Sequence, residues 1–135
     1  MKRTLMTIVA LAAASTLFAS PVLSAEKAEH DYVGASSCKI CHKKAEKGDQ
    51  WGKWLAGPHA GAWKTLGTPE ANAAAEKAGI TGNPQEADEC LSCHITAHGV
   101  KAELLDKKYS VEEGVGCESC HGPGGDYKKK SVMKD

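Results

Sequence analysis

Three short stretches of this chain could do chemistry, and they are copies of one pattern. They read Cys38-Lys39-Ile40-Cys41-His42, Cys90-Leu91-Ser92-Cys93-His94 and Cys117-Glu118-Ser119-Cys120-His121. Together they use all six cysteines and half of the six histidines. Two thiols three residues apart lie on one side of a helical turn, and both reach the edge of a porphyrin as thioethers. The histidine that follows offers its imidazole to the iron. Each copy therefore reads as an attachment site for one c-type haem, held by Cys38 and Cys41, Cys90 and Cys93, or Cys117 and Cys120, with His42, His94 and His121 as proximal ligands.

Rival chemistries fit less well. A closed structural zinc site needs four ligands, and six cysteines do not divide into all-cysteine sites. A three-disulfide scaffold leaves the three following histidines unexplained. Redox dithiol chemistry needs one such motif at a strand–helix junction, and no strand pattern leads into any copy.

Three further histidines, His30, His59 and His98, are candidates for the sixth iron position. Three irons and three spare histidines permit bis-histidine ligation throughout. That arrangement favours low potentials and electron transfer over substrate binding. His98 lies four residues beyond His94, too close to arch over the same ring, so it would serve another haem. Met133 is the one methionine beyond Met6 and falls in a tail expected to be loose, so methionine ligation is not expected.

The elements that must position these groups are short. A helix is expected from Ser37 to Ala56, capped by Ser36 or Ser37. Gly57-Pro58 should end it and open a second helix carrying His59, Trp63 and Leu66. Pro69 to Ala78 reads as an Ala/Glu helix ended by Gly79, followed by a turn at Gly82-Asn83-Pro84. A short helix from Gln85 should lead into the second motif, and residues 99–116 should form a connection with a small hairpin around Tyr109. Gly122-Pro123-Gly124-Gly125 stops any helix after the third motif. The expected fold is mostly α, a small haem-cored multihaem cytochrome domain with little regular β structure.

Residues 1–25 have the form of a secretory signal peptide. Lys2 and Arg3 precede an apolar run from Leu5 to Phe18, then come Pro21 and a cleavage site at Leu23-Ser24-Ala25. The run is shorter than the ~20 residues that span a bilayer. Residues 26–135 would then form one exported, periplasmic domain, without stable membrane insertion after cleavage. Its aromatics are Trp51, Trp54, Trp63, Tyr32, Tyr109 and Tyr127. So few large apolar side chains cannot make a core, and the porphyrins are expected to supply it. Formal charge is zero over the whole chain and slightly negative once Lys2 and Arg3 leave. There is no basic patch of the kind that binds nucleic acid, and Lys128-Lys129-Lys130 reads as a solvated run.

Four stretches carry a resemblance to a known family. They are Tyr32-Val33-Gly34, Trp54 with Pro58-His59-Ala60, Cys90 to Thr96, and Gly114-Val115-Gly116-Cys117-Glu118-Ser119-Cys120-His121-Gly122-Pro123-Gly124. Over residues 32–127 the chain resembles the multihaem cytochromes of the cytochrome c-554 family, at the first three haem sites of its tetrahaem members. The resemblance implies a mostly helical periplasmic electron carrier with closely packed haems, and makes His59 the distal ligand to the haem of the third motif. Tyr127 stands where relatives often have a distal histidine, and His98 where they have an aromatic residue. The distal ligand of the first haem is thus open between His98 and His30, and the second haem is expected to be five-coordinate or weakly ligated. The reading is a non-enzymatic carrier of three covalent haems that shuttles single electrons between redox partner proteins. Its alternative is binding or reduction of a small molecule such as nitric oxide at an open iron.

Overall fold

The computed structural model describes residues 30–134; the signal-peptide stretch and the first residues after it lie outside the described residues. Six α-helical and five 3-10 segments follow one another. In chain order the α-helices are α1 (Lys39–His42), α2 (Gln50–Leu55), α3 (Ala62–Thr65), α4 (Pro69–Lys77), α5 (Asp88–His94) and α6 (Glu118–His121). Among the described residues there is no sheet, and one isolated parallel bridge joins Tyr32 to Leu105. The mostly helical, sheet-free domain is as the sequence predicts.

Several local expectations are corrected. The helix over 37–56 is a chain of short pieces: 3-10 turns at Ala35–Ser37 and Ala45–Lys47 alternate with α1 and α2. Gly48 at φ 92 and Asp49 at φ 42 break it, because two consecutive left-handed residues reverse the chain and cannot continue a helix. The Asp49 carboxylate then caps α2 by accepting from the Gly52 N–H at 3.0 Å. Neither serine caps α1; the Ser37 hydroxyl instead donates to the Val33 carbonyl at 2.8 Å. Pro84 to Glu86 is a turn, and the helix of the second motif starts only at Asp88. No hairpin forms around Tyr109. Its place is taken by 3-10 turns at Ala102–Leu104 and Val111–Glu113. The backbone there is joined to Tyr32, which donates to Leu104 and accepts from Asp106, both at 2.8 Å.

Helix α4 matches its expectation to one residue. Thr68 caps it by accepting from the Ala71 N–H at 3.3 Å, Pro69 takes the first turn, and Gly79 follows its end. Residues 125–133 make hydrogen-bonded turns. The Gly125 N–H donates to Asp31, and residues 129–133 close a turn in which Val132 and Met133 both donate to the Lys129 carbonyl at 3.0 Å.

The apolar core is thin. Among the described residues the buried hydrophobic side chains are Val33, Ala35, Leu66 and Ala75, with Pro84 fully enclosed beside them. Ile40 and Leu55 stay exposed. Polar anchoring replaces what packing does not supply.

Candidate haem sites

One such anchor starts at Glu118, which sits inside the third motif and is 3% exposed. Its carboxylate accepts from the Val33 N–H and the Gly34 N–H at 2.9 Å each, and from the Gly124 N–H at 2.6 Å. Glu113 continues the pattern, accepting from Ala35 at 2.7 Å and Ser36 at 2.9 Å. Two carboxylates thus take four consecutive backbone N–H groups just ahead of the first motif. Charge-assisted hydrogen bonds of this kind are stronger than neutral ones. They hold the first motif against the third.

The consequence is a shared cleft of about 470 Å³, lined by Cys38 and His42 of the first motif and Cys117 and His121 of the third, with Trp51 and Met133. The thiols of Cys38 and Cys117 are hydrogen-bonded to each other. That bond lowers the Cys117 thiol to about 7, while the same contact together with burial pushes the Cys38 thiol up. A second cleft, of about 380 Å³, opens beside it and holds Cys38, Cys41 and His42 together. Lys128 and Lys130 line this opening rather than standing clear of it. Lys128 also pairs with Asp106 at 3.9 Å.

A second anchor is Thr96, two residues beyond the second motif and buried. Its N–H donates to Gly114 at 3.0 Å, and its hydroxyl accepts from the Gly116 N–H at 2.7 Å and meets the Ser119 hydroxyl at 2.8 Å. The Tyr109 hydroxyl donates to the Thr96 carbonyl. The same lead-in, residues 114–116, is gripped from the other side. The Val115 N–H donates to the His59 carbonyl at 3.0 Å, and the Trp54 indole N–H donates to the Val115 carbonyl at 2.8 Å. The stretches that carried the family resemblance therefore meet in space at one junction.

The second motif has its own cleft, of about 560 Å³. Cys90, Cys93 and His94 line one side, and Ala71, Ala74 and Ala75 of α4 contribute to the other. The His94 Nδ1 lies 2.8 Å from the Ala62 carbonyl. A carbonyl only accepts, so the proton is on Nδ1 and the Nε2 lone pair is free. A metal-binding imidazole is oriented in this way by a hydrogen bond from its other nitrogen.

The spare histidines are placed unevenly. His59 opens the 3-10 turn His59–Gly61, with its backbone pinned to the lead-in of the third motif. His98 faces Asp88 at the start of α5, Nε2 to carboxylate 3.7 Å, and His30 pairs through Nδ1 with Asp126. None of His30, His59 and His98 lines the three clefts. Sequence reasoning missed Glu113, Glu118, Thr96 and Tyr109. The available signal was a carboxylate between the two cysteines of a motif, facing small residues that admit close backbone approach.

The donor set fits covalent haem. All six cysteines are free thiols, in pairs, each pair followed by its histidine and each beside an open cleft. No helix among the described residues is long and apolar enough to cross a membrane.

Comparison with known proteins agrees with this geometry. The family described as cytochrome c554 and c-prime matches over residues 37–122. Cytochrome c-554 of Nitrosomonas europaea is 30% identical over 109 residues, covering 76% of this chain and 44% of that protein. The multiheme cytochrome MtrA of Shewanella baltica is 35% identical over 80 residues, 53% of this chain and 24% of that protein. The matches thus span less than half the length of these curated relatives. No solved structure matches the chain.

Proposed function

The chain belongs to the cytochrome c554 and c-prime family of multihaem c-type cytochromes, and from that premise we propose that it is a periplasmic electron carrier with three covalent haems. The observation that carries the reading is the convergence of Cys38 and His42 of the first motif with Cys117 and His121 of the third on one cleft. Haems held by these two motifs would meet at that cleft, where an electron could pass from one to the other. Bound through these thiols, a c-type haem supplies a one-electron ferric/ferrous couple. The protein's own residues do the rest. His42, His94 and His121 supply the proximal lone pairs, and Ala62 holds the His94 ring in its binding tautomer. Glu113 and Glu118 fix the spacing between the first and third motifs and favour positive charge nearby. Lys128 and Lys130 line the opening beside the first motif and would supply positive charge there. His59, pinned beside the third motif, is assigned as distal ligand to that site. His30 and His98 remain further candidate ligands, each oriented by a carboxylate. Partners would be redox proteins that dock at exposed haem edges.

Intact mass after acid denaturation tests the count. The expected result is the polypeptide mass plus three haem groups; an excess of two or fewer in matured protein overturns it.

A second reading is favoured by the cleft of the second motif. Among the residues lining it, His94 is the one imidazole, and α4 presents alanines to the space. We infer an open sixth position at that iron, able to bind nitric oxide without making the protein an enzyme. A high-spin ferric resonance that disappears when nitric oxide or cyanide is added is expected. Three low-spin signals and no high-spin one would end this reading.

A further inference from the structure

The first motif's cleft contains a donor that sequence spacing alone did not place there. Met133 lines both the cleft shared with the third motif and the one that holds Cys38, Cys41 and His42 together. It stands on the closed turn of residues 129–133, and its side chain is 49% exposed, a large apolar group with open space before it. Other candidates beside this motif are otherwise engaged. The Tyr127 hydroxyl donates to the Gly122 carbonyl at 2.8 Å. The Gln50 amide donates to the Lys47 carbonyl at 2.6 Å. Lys130 and Lys134 line only the second of the two clefts, and a protonated ammonium has no lone pair to give. His30 and His98 face Asp126 and Asp88 outside both clefts.

We propose that the Met133 thioether is the sixth ligand to the iron held by Cys38, Cys41 and His42, making that site His–Met. The inference rests on the reading of the first motif as a haem site. A thioether is neutral at every pH and a soft donor, so it approaches iron without a proton to lose or a charge to desolvate. Methionine in place of a second histidine raises the potential. The first site would therefore hold an electron more tightly than a bis-histidine site such as the one His59 and His121 would form, and would give it up after that site.

The holoprotein carries the test. Ferric His–Met iron has a weak sulfur-to-iron charge-transfer band at the red end of the visible spectrum. The reduced form shows a methionine methyl proton resonance shifted far upfield by the porphyrin ring current. Both are expected in the native protein. Met133→Leu should abolish both, turn one further haem high-spin and lower one midpoint potential. Met133→His should restore low spin without restoring the band, at a potential below the native one. Met1 and Met6 are the only other methionines, so a signature that survives Met133→Leu, or is absent from the native protein, overturns the proposal. Intact mass of the same samples separates the two levels. A full complement of three haems without the signature defeats the ligand alone. A mass showing the first motif bare defeats the haem reading and the ligand with it.

Discussion

Glu118 is the residue on which most of the geometry turns. A charged side chain this deeply buried is costly unless every oxygen is satisfied, and here three backbone N–H groups satisfy it, with no ion pair to a cation among the described residues. Glu118→Ala would leave those donors buried and unpaired. The expected loss is about 3 kcal/mol of stability, read as a lower midpoint in denaturant titration of the holoprotein. Glu118→Gln should cost less, because one carbonyl oxygen still accepts, though its amide hydrogens now face an N–H. A change below about 0.5 kcal/mol in the alanine variant would mean that the clamp is not holding the motifs together. His94 shows the same logic in a single bond. Its contact with Ala62 sets which nitrogen is free, and so which way the ring can serve a metal.

Helices here are too short to be stable alone; the longest, α4, has nine residues. Their positions come from the segments between them. The lead-in to α6 is the clearest case. Gly114 has φ 64, and a Cβ on it would meet the His59 carbonyl oxygen at 2.5 Å. Glycine is required both for the backbone conformation and for the approach of the His59 turn. Gly114→Ala should cost roughly 1–3 kcal/mol, seen as a drop in thermal midpoint. It should also push the His59–Gly61 turn away from the third motif, so that one haem gains high-spin character. A destabilised variant whose haem spectrum is unchanged would separate the fold from the ligand and count against His59 at that site. Helix α4 acts differently. Its alanines keep space open beside His94, and Thr68 and Pro69 set where it starts.

For the whole molecule the decisive feature is how little apolar surface the protein buries on its own. With Val33, Ala35, Leu66 and Ala75 as the buried hydrophobic side chains among the described residues, a domain of this size falls short of a sufficient core. The clefts beside the three motifs are where the missing core belongs. Replacing all six cysteines by serine should therefore yield a chain without cooperative folding. Its amide proton resonances should collapse into the narrow range of an unfolded protein. A well-dispersed spectrum from that variant would show that the polypeptide folds without its cofactors.

The chemistry was legible in the sequence because covalent attachment is a local requirement. Two thiols and an imidazole must sit within one helical turn, so Cys38 to His42, Cys90 to His94 and Cys117 to His121 declare themselves by spacing alone. Helix α4 was legible for a similar reason, since Thr68, Pro69 and Gly79 are local start and stop signals. The helix expected over 37–56 failed where a local rule was outweighed. Gly48 and Asp49 reverse the chain, and carboxylates 77 to 85 residues away in sequence set the path ahead of the first motif. Long-range contacts decided everything else. Which motifs share a cleft depends on Glu113 and Glu118, the junction at Thr96 depends on three separate segments, and Met133 reaches the first motif only because residues 124–133 fold back on the domain. A pattern of neighbours in sequence fixes what a site can bind, and only the tertiary fold brings the far ligand to it.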